Sequence, residues 1–160
     1  MKQVSQIDWA RLAAYIDGEG CILIAKRQCK DWPRPYLYLD VRVTGTDPRL
    51  IEWCKDNFGG SVHTSQHHHS NPKGNWAPCF YWVVGCRQAN HILENCLPYF
   101  IIKREQAEVA LAFQRTLGKQ GKKVSQDVID QQYRFREALS NLKGSSSRGK
   151  HPVTENITIQ

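Results

Sequence analysis

Residues 36–44 read YLYLDVRVT, and this alternation constrains the fold more than any other stretch. A strand turns successive side chains to opposite faces. Leu37, Leu39, Val41 and Val43 therefore share one face, and Tyr36, Tyr38, Asp40 and Arg42 share the other. The apolar face needs a core to lie on. The opposite face carries aromatic, acidic and basic groups and needs solvent or a polar partner. A sheet covered by helices on one side only satisfies both.

The rest of the chain supplies that sheet twice over. Residues 7–17 read as a helix with Asp8 at its start, Trp9, Leu12, Ala13 and Ile16 on one face, and Gly18 and Gly20 stopping it. GCILIAKRQ, from Gly20, reads as a strand, and Trp32-Pro33-Arg34-Pro35 as a non-helical connection to the strand at 36–44. TDPRLIEWCKDNFGG has helix signals at both ends: Thr46 or Asp47 as N-cap, Pro48 in the first turn, and Gly59-Gly60 as the stop. Its apolar stripe is Leu50, Ile51, Cys54 and Phe58. SVHTSQHHH and CFYWVVG then form a second hairpin across the polar tip SNPKGNWAP. In CFYWVVG both phases are apolar, Phe80, Trp82 and Val84 against Tyr81 and Val83, so its register stays open.

Three helices follow. RQANHILENCL is broken by Pro98. YFIIKREQAEVALAFQRTLG places Ile102, Gln106, Val109 and Phe113 at helical spacing and is closed by Gly118 and Gly121. SQDVIDQQYRFREALSNLKG is capped by Ser125, with Ile129, Tyr133, Arg136 and Leu139 on one face. The expected order is two successive αββ units and further helices: an α+β domain over 1–143, with a Ser/Gly-rich tail at 144–160 expected to be flexible.

Composition narrows the function classes. The chain has 160 residues and is 41% hydrophobic, enough for one domain with a core. No apolar run approaches the ~18 residues that span a bilayer. The N-terminal MKQVSQIDWARL lacks the apolar segment of a secretory signal, so an intracellular protein is expected. Twenty-two Lys and Arg against 15 Asp and Glu leave a net charge of +7, which favours a polyanion, nucleic acid before acidic membrane. Cys21, Cys29, Cys54, Cys79, Cys86 and Cys96 contain no C-x-x-C pair and read as reduced, small hydrophobes. His67, His68 and His69 invite a zinc site. Adjacent strand residues point to opposite faces, so the three cannot easily share one ion, and a hairpin tip over nucleic acid is preferred.

Asp17 and Glu19 are the strongest candidates for chemistry. Carboxylates at a helix C-terminus face the negative end of its dipole, an unfavourable place without a cation. Phosphodiester hydrolysis uses a hard divalent ion bound by oxygen ligands. D-G-E-G also reads as a polar turn ending a helix, and the local residues alone leave both open.

The surrounding stretch, LAAYIDGEG, resembles the motif that names the LAGLIDADG homing endonucleases. Leu12, Ala13, Ile16, Asp17 and Gly20 match it letter for letter. Ala14, Tyr15, Gly18 and Glu19 stand where Gly, Leu, Ala and Asp are common. VTGTDPRLIEWCKDNFGGSV and LPYFIIKREQAEVALAF resemble two further segments of the family in the same order, so the similarity covers roughly residues 7–115.

The resemblance implies an αββαββα fold whose four-stranded antiparallel saddle sheet grips DNA, with the last helix an extra. It implies that the motif helices of two copies pack through small residues, here Ala13, Ala14 and Ala10, with Leu12, Ile16 and Asp17 in the same motif. The chain carries one motif, which implies a C2 homodimer on a near-palindromic site. It further implies Glu19 as catalytic acid and metal ligand, the Gly18 carbonyl as a backbone ligand, and Mg2+ or Mn2+ as cofactor, with no organic cofactor and no membrane partner. Asp17 is expected to brace the helix junction. Lys103, five residues after Pro98 and three before Gln106-Ala107, matches the family's active-site lysine. The sequence departs from the family just past strand two. Where members carry Gln or Asn to hold an active-site water, this chain has Gly45, with Thr44, Thr46 and Asp47 beside it.

DNA-facing positions follow from alternation: Arg27 with Leu23 and Ala25 on strand one, Tyr36, Tyr38, Asp40 and Arg42 on strand two, and His63, Ser65 and His67 on strand three. Arg27 and Arg42 suit guanine, and Asp40 suits cytosine. Lys26, Lys30, Lys73, Lys119, Lys122 and Lys123 are phosphate candidates. The expected function is a site-specific DNA endonuclease leaving staggered 3′ overhangs. The alternative is a non-cleaving nucleic-acid-binding protein of the same fold, an intron maturase or a transcriptional regulator.

Overall fold

The computed structural model describes residues 3–30, 35–65, 78–118 and 124–147. The element order is α1 (Gln6–Glu19), β1 (Gly20–Arg27), β2 (Tyr36–Gly45), α2 (Pro48–Phe58), β3 (Ser61–Ser65), β4 (Cys79–Gly85), α3 (Cys86–Cys96), a 3-10 turn (Leu97–Tyr99), α4 (Arg104–Arg115) and α5 (Gln126–Ser147). This is the two αββ units and the α+β class read from the sequence.

The four strands form one antiparallel sheet in the order β1-β2-β4-β3. Both hairpins are present, and the second strand of each takes the centre. Leu37, Leu39, Val41 and Val43 are all buried, as the alternation requires. The open register of β4 resolves to Trp82 and Val84 in the core, with Phe80 packed against it and Tyr81 and Val83 on the other face. Trp82 decides it. Its ring is wholly buried, and its indole N–H donates to the Gly59 carbonyl at 2.6 Å, so its one polar atom is satisfied.

The helices lie over the core face. α1 contributes Leu12, Ala13 and Ile16, α2 Ile51, Cys54 and Phe58, α3 Ala89, Ile92 and Leu93, and α4 Ala107, Ala110 and Phe113. Buried Cys54 and Cys96 have thiol pKa values pushed up to about 12 by desolvation, so they act as core hydrophobes. No described helix is long and apolar enough to cross a membrane.

Several boundaries differ from the sequence reading. α1 is capped by the Ser5 hydroxyl, which accepts from the Asp8 amide at 3.2 Å, and Asp8 sits in the first turn. The helix runs through Gly18 to Glu19, and Gly20 alone ends it. A Cβ on Gly20 would lie 2.5 Å from Ile16 Cα and 2.7 Å from Ile16 O, a clash that reserves the position for glycine. α4 begins at Arg104 rather than near Tyr99, so Ile102 is not on its buried face. Ile101 and Ile102 are 89% and 61% exposed. α5 buries Gln132 and Leu139 with Phe135 half-buried, leaving Tyr133 and Arg136 outward. Gln132 donates to the Thr116 carbonyl at 3.3 Å, which rotates the helix away from the expected face. α5 continues to Ser147, past the expected boundary at 143. The Trp32-Pro33-Arg34 connection, the His67-His69 tip and residues 148–160 lie outside the described residues.

Candidate functional site

The site is built where α1 ends and β1 begins. α1 turns Leu12, Ala13, Ile16 and Asp17 inward and Arg11, Ala14, Tyr15, Gly18 and Glu19 outward. Leu12, Ala13 and Ile16 are completely buried in the chain's own core. Ala13 was expected among the small residues between two copies, and the 100° helical step turns it into the core with Leu12 and Ile16. The outward stripe is instead Ile7, Ala14, Tyr15 and Gly18, with Ile7 65% and Tyr15 40% exposed. Tyr15 rests edge-on against Trp53 of α2 at 5.8 Å.

The two motif acids have different surroundings. Asp17 is buried, and its carboxylate accepts from three backbone amides: Ile101 at 2.8 Å and Ile102 at 3.3 Å on one oxygen, and Lys103 at 2.9 Å on the other. Those bonds hold the segment before α4 in a turn, which is why α4 starts late. Lys103 then reaches back, and its ammonium donates to the Asp17 carbonyl in the last turn of α1. A cation at that position suits the negative end of the helix dipole. Desolvation lowers the Lys103 pKa, and the Asp17 charge opposes the shift. Glu19 stands exposed one turn end further on, beside the Gly18 carbonyl, which belongs to the final turn and has no in-helix amide to receive.

Gln106 is buried with its Oε1 lacking a partner among the described residues. Gly45 ends β2, where a Cβ would meet nothing closer than Leu50 at 3.7 Å. Of its neighbours, Asp47 is already engaged. It caps α2 through the Arg49 amide at 2.9 Å and pairs with the Arg49 guanidinium, which holds its carboxyl at a pKa of about 2. Asp47 is thus committed to the fold.

One residue of this neighbourhood was absent from the sequence reading. Lys143 of α5 places its ammonium 3.2 Å from the sulfur of Cys21, two residues beyond Glu19. Nothing local marks it among 22 basic residues. Only the path of α5 across α4 to β1 brings it there.

The outward sheet face holds Arg27, exposed, and Tyr36, Tyr38 and Arg42, half-buried, with Tyr36 and Tyr38 rings 5.9 Å apart. His63 is exposed and stacks on Tyr81 with centroids 5.1 Å apart, and Ser65 pairs with Cys79 across the hairpin. Asp40 differs from its expected role. It is 5% exposed, and one carboxylate oxygen accepts from both Nε (3.2 Å) and Nη2 (2.8 Å) of Arg42. That hydrogen bond, the largest influence, raises the Arg42 pKa. Lys26 and Lys30 are exposed, whereas His67, Lys73, Lys119, Lys122 and Lys123 lie outside the described residues.

Among the described residues no three His, Cys, Asp or Glu side chains converge within one chain to hold a metal ion. Glu19 and the Gly18 carbonyl offer hard oxygen donors of the kind Mg2+ takes, but fewer than its six positions.

No known family profile matches the sequence, and no curated protein does. Solved structures do match the fold. The homing endonuclease I-CvuI, in complex with its target in the presence of Ca, superimposes with a TM-score of 0.70 at 21% identity, over 86% of this chain and 82% of that one. The archaeal intron-encoded homing endonuclease I-Vdi141I, complexed with DNA, gives 0.66 at 13% identity over 85% and 84%. The LAGLIDADG homing endonuclease I-GzeII, in complex with its DNA target, gives 0.64 at 19% identity, over 98% of this chain but 55% of that one. The chain has the fold of the LAGLIDADG homing endonucleases.

Proposed function

We propose that this chain is a site-specific DNA endonuclease that acts as a C2 homodimer on a near-palindromic duplex and leaves staggered 3′ overhangs. The observation that carries the reading is the division of labour at the end of α1. Asp17 is saturated by three amides, while Glu19 is exposed beside a free-facing terminal turn and the Lys103 ammonium. A fold needs the first arrangement and has no use for the second.

Two copies supply what one lacks. The outward face of α1 carries Ile7, Arg11, Ala14, Tyr15 and Gly18, with the small residues Ala14 and Gly18 toward the motif end, where its own copy can approach closely. Coverage fits a unit that occurs once in I-CvuI and leaves room for a second in I-GzeII. Two Glu19 side chains and two Gly18 carbonyls would then meet near the axis and hold Mg2+ or Mn2+ with phosphate and water oxygens. When bound, such an ion polarises the phosphate and favours hydroxide at neutral pH. Glu19 fixes that charge, and Lys103 adds a positive charge toward which the pentacoordinate phosphate can lean. The sheet face reads the groove through Arg27, Tyr36, Tyr38, Arg42 and His63, with phosphates taken by exposed lysines. A DNA substrate goes with an intracellular setting and six unpaired cysteines.

Gly45 and the committed Asp47 favour a second reading, binding without cutting, because they leave the expected water holder's place to the hydroxyls of Thr44 and Thr46. Incubation of the protein with a randomised duplex library and Mg2+, followed by sequencing of cleaved ends, separates the two. Ends carrying a shared near-palindrome, lost in Glu19→Gln, support the enzyme. Enrichment by binding with no cleaved ends leaves the binder.

A further inference from the structure

Two ammonium groups from distant parts of the chain are held around the α1–β1 junction, one on the Asp17 carbonyl and one on the Cys21 sulfur. Lys103 arrives from the start of α4 and Lys143 from the far part of α5. They lie close enough for the charge on Lys143 to disfavour protonation of Lys103. Asp17 offsets part of the charge on Lys103 while also accepting three backbone amides, and it makes no hydrogen bond to Lys143. Lys143 makes its hydrogen bond to the Cys21 thiol, a weak acceptor that a phosphate oxygen would readily replace. An ammonium resting on so poor an acceptor, two residues from the exposed motif acid, describes a place where an anion can bind.

Resting on the endonuclease reading above, we propose that Lys143 is a phosphate-binding residue of the cleavage centre, so that α5 is part of the active site and not an appendage to the fold. Cys21 lies two residues past Glu19 and opposite Arg42 in the β1–β2 register, which puts Lys143 between the acid and the innermost base-reading position. The role of Lys143 differs from that of Lys103, whose ammonium is tied to the helix end.

The test uses the full chain with Lys143→Gln and Lys143→Arg. Binding to a mixed-sequence duplex is followed in Ca2+ across a KCl series, with thermal unfolding as a control and single-turnover cleavage of the selected target in Mg2+. Lys143→Gln should lower the slope of log K against log salt by about 0.9 for each lysine removed, and Lys143→Arg should restore it. Cleavage by Lys143→Gln should fall at least about tenfold, the scale of one transition-state hydrogen bond. An unchanged slope in a folded Lys143→Gln variant overturns the proposal, as does a variant that fails to fold, which would assign Lys143 to the fold. A wild-type protein that binds but never cuts sinks the endonuclease reading alone, because the salt slope still decides for or against Lys143.

Discussion

Exchanging each motif acid for its amide should separate a structural carboxylate from a catalytic one. In Asp17→Asn the side chain keeps its shape but loses its charge and one acceptor. Its oxygen can serve Ile101 and Ile102, but its NH2 must then face the Lys103 amide, now 2.9 Å from an acceptor. One charge-assisted bond is lost, a buried N–H is orphaned, and two bonds drop to neutral strength. Hydrogen bonds to charged groups contribute ~1.5–3 kcal/mol each and neutral ones about half, so the expected loss is about 3 kcal/mol. With an m-value on the order of 1–3 kcal/mol/M, the urea midpoint should fall by about 1–3 M. Glu19→Gln touches an exposed side chain and should change stability by less than about 0.5 kcal/mol. Cleavage should vanish in Glu19→Gln. In Asp17→Asn it should fall only as far as the segment carrying Lys103 loosens. Equal urea midpoints for wild type and Asp17→Asn would refute the brace. Cleavage by Glu19→Gln at the wild-type rate would refute the assignment of the acid.

Other positions give sharper or simpler tests. Gly60 has φ of +85° and would place a Cβ 2.6 Å from Val84 Cγ1, so Gly60→Ala should cost at least about 2 kcal/mol in chemical denaturation. Asp47 has a folded pKa of about 2 against an ordinary 3.8, so its contribution is present above about pH 4 and fades as pH falls toward 2. The stability gap between wild type and Asp47→Asn should close over that same range in acid titration. Arg42→Ala should relax selection at one base position in each half-site by roughly 1–3 kcal/mol, and Asp40→Asn should weaken the same position, as sequencing of bound duplexes would report. Gly18→Ala should raise helix stability by roughly 0.5–1 kcal/mol in the monomer yet weaken self-association measured by sedimentation.

Much of the fold was legible because it follows from short-range rules. The alternation at 36–44 predicted its buried face residue for residue. Asp47 and Pro48 marked the start of α2, and the two glycines after it marked the end. Errors arose where a distant group decided a local question. The start of α4 depends on the Asp17 carboxylate, which lies more than eighty residues earlier, so helical spacing alone placed Ile102 wrongly. The exposed face of α5 depends on the Gln132–Thr116 contact with the end of α4. Asp40 alternated outward as expected, but the neighbour two residues on took its carboxylate. Lys143 carried no signal at all, since its position is a property of how α5 crosses α4.

The motif helix shows why site residues are harder to read than core residues. In most surface helices one face is apolar and the other polar, and the pattern alone names the core. α1 has apolar groups on both: Leu12, Ala13 and Ile16 inward, and Ile7, Ala14 and Tyr15 outward. The exposed apolar groups flank Arg11 on the outer face, where the proposed second copy would lie. The inward groups pack on the chain's own sheet. At Gly18 a Cβ would meet nothing within 4 Å, so neither crowding nor the fold of one chain demands glycine there. In the proposed dimer, a second copy of the same helix would approach at Gly18 and bring to that point the acid that one chain holds singly. Under that proposal packing and chemistry share residues 14–19, which is why the motif read as one signal while its members would divide into core, contact face and metal-binding end.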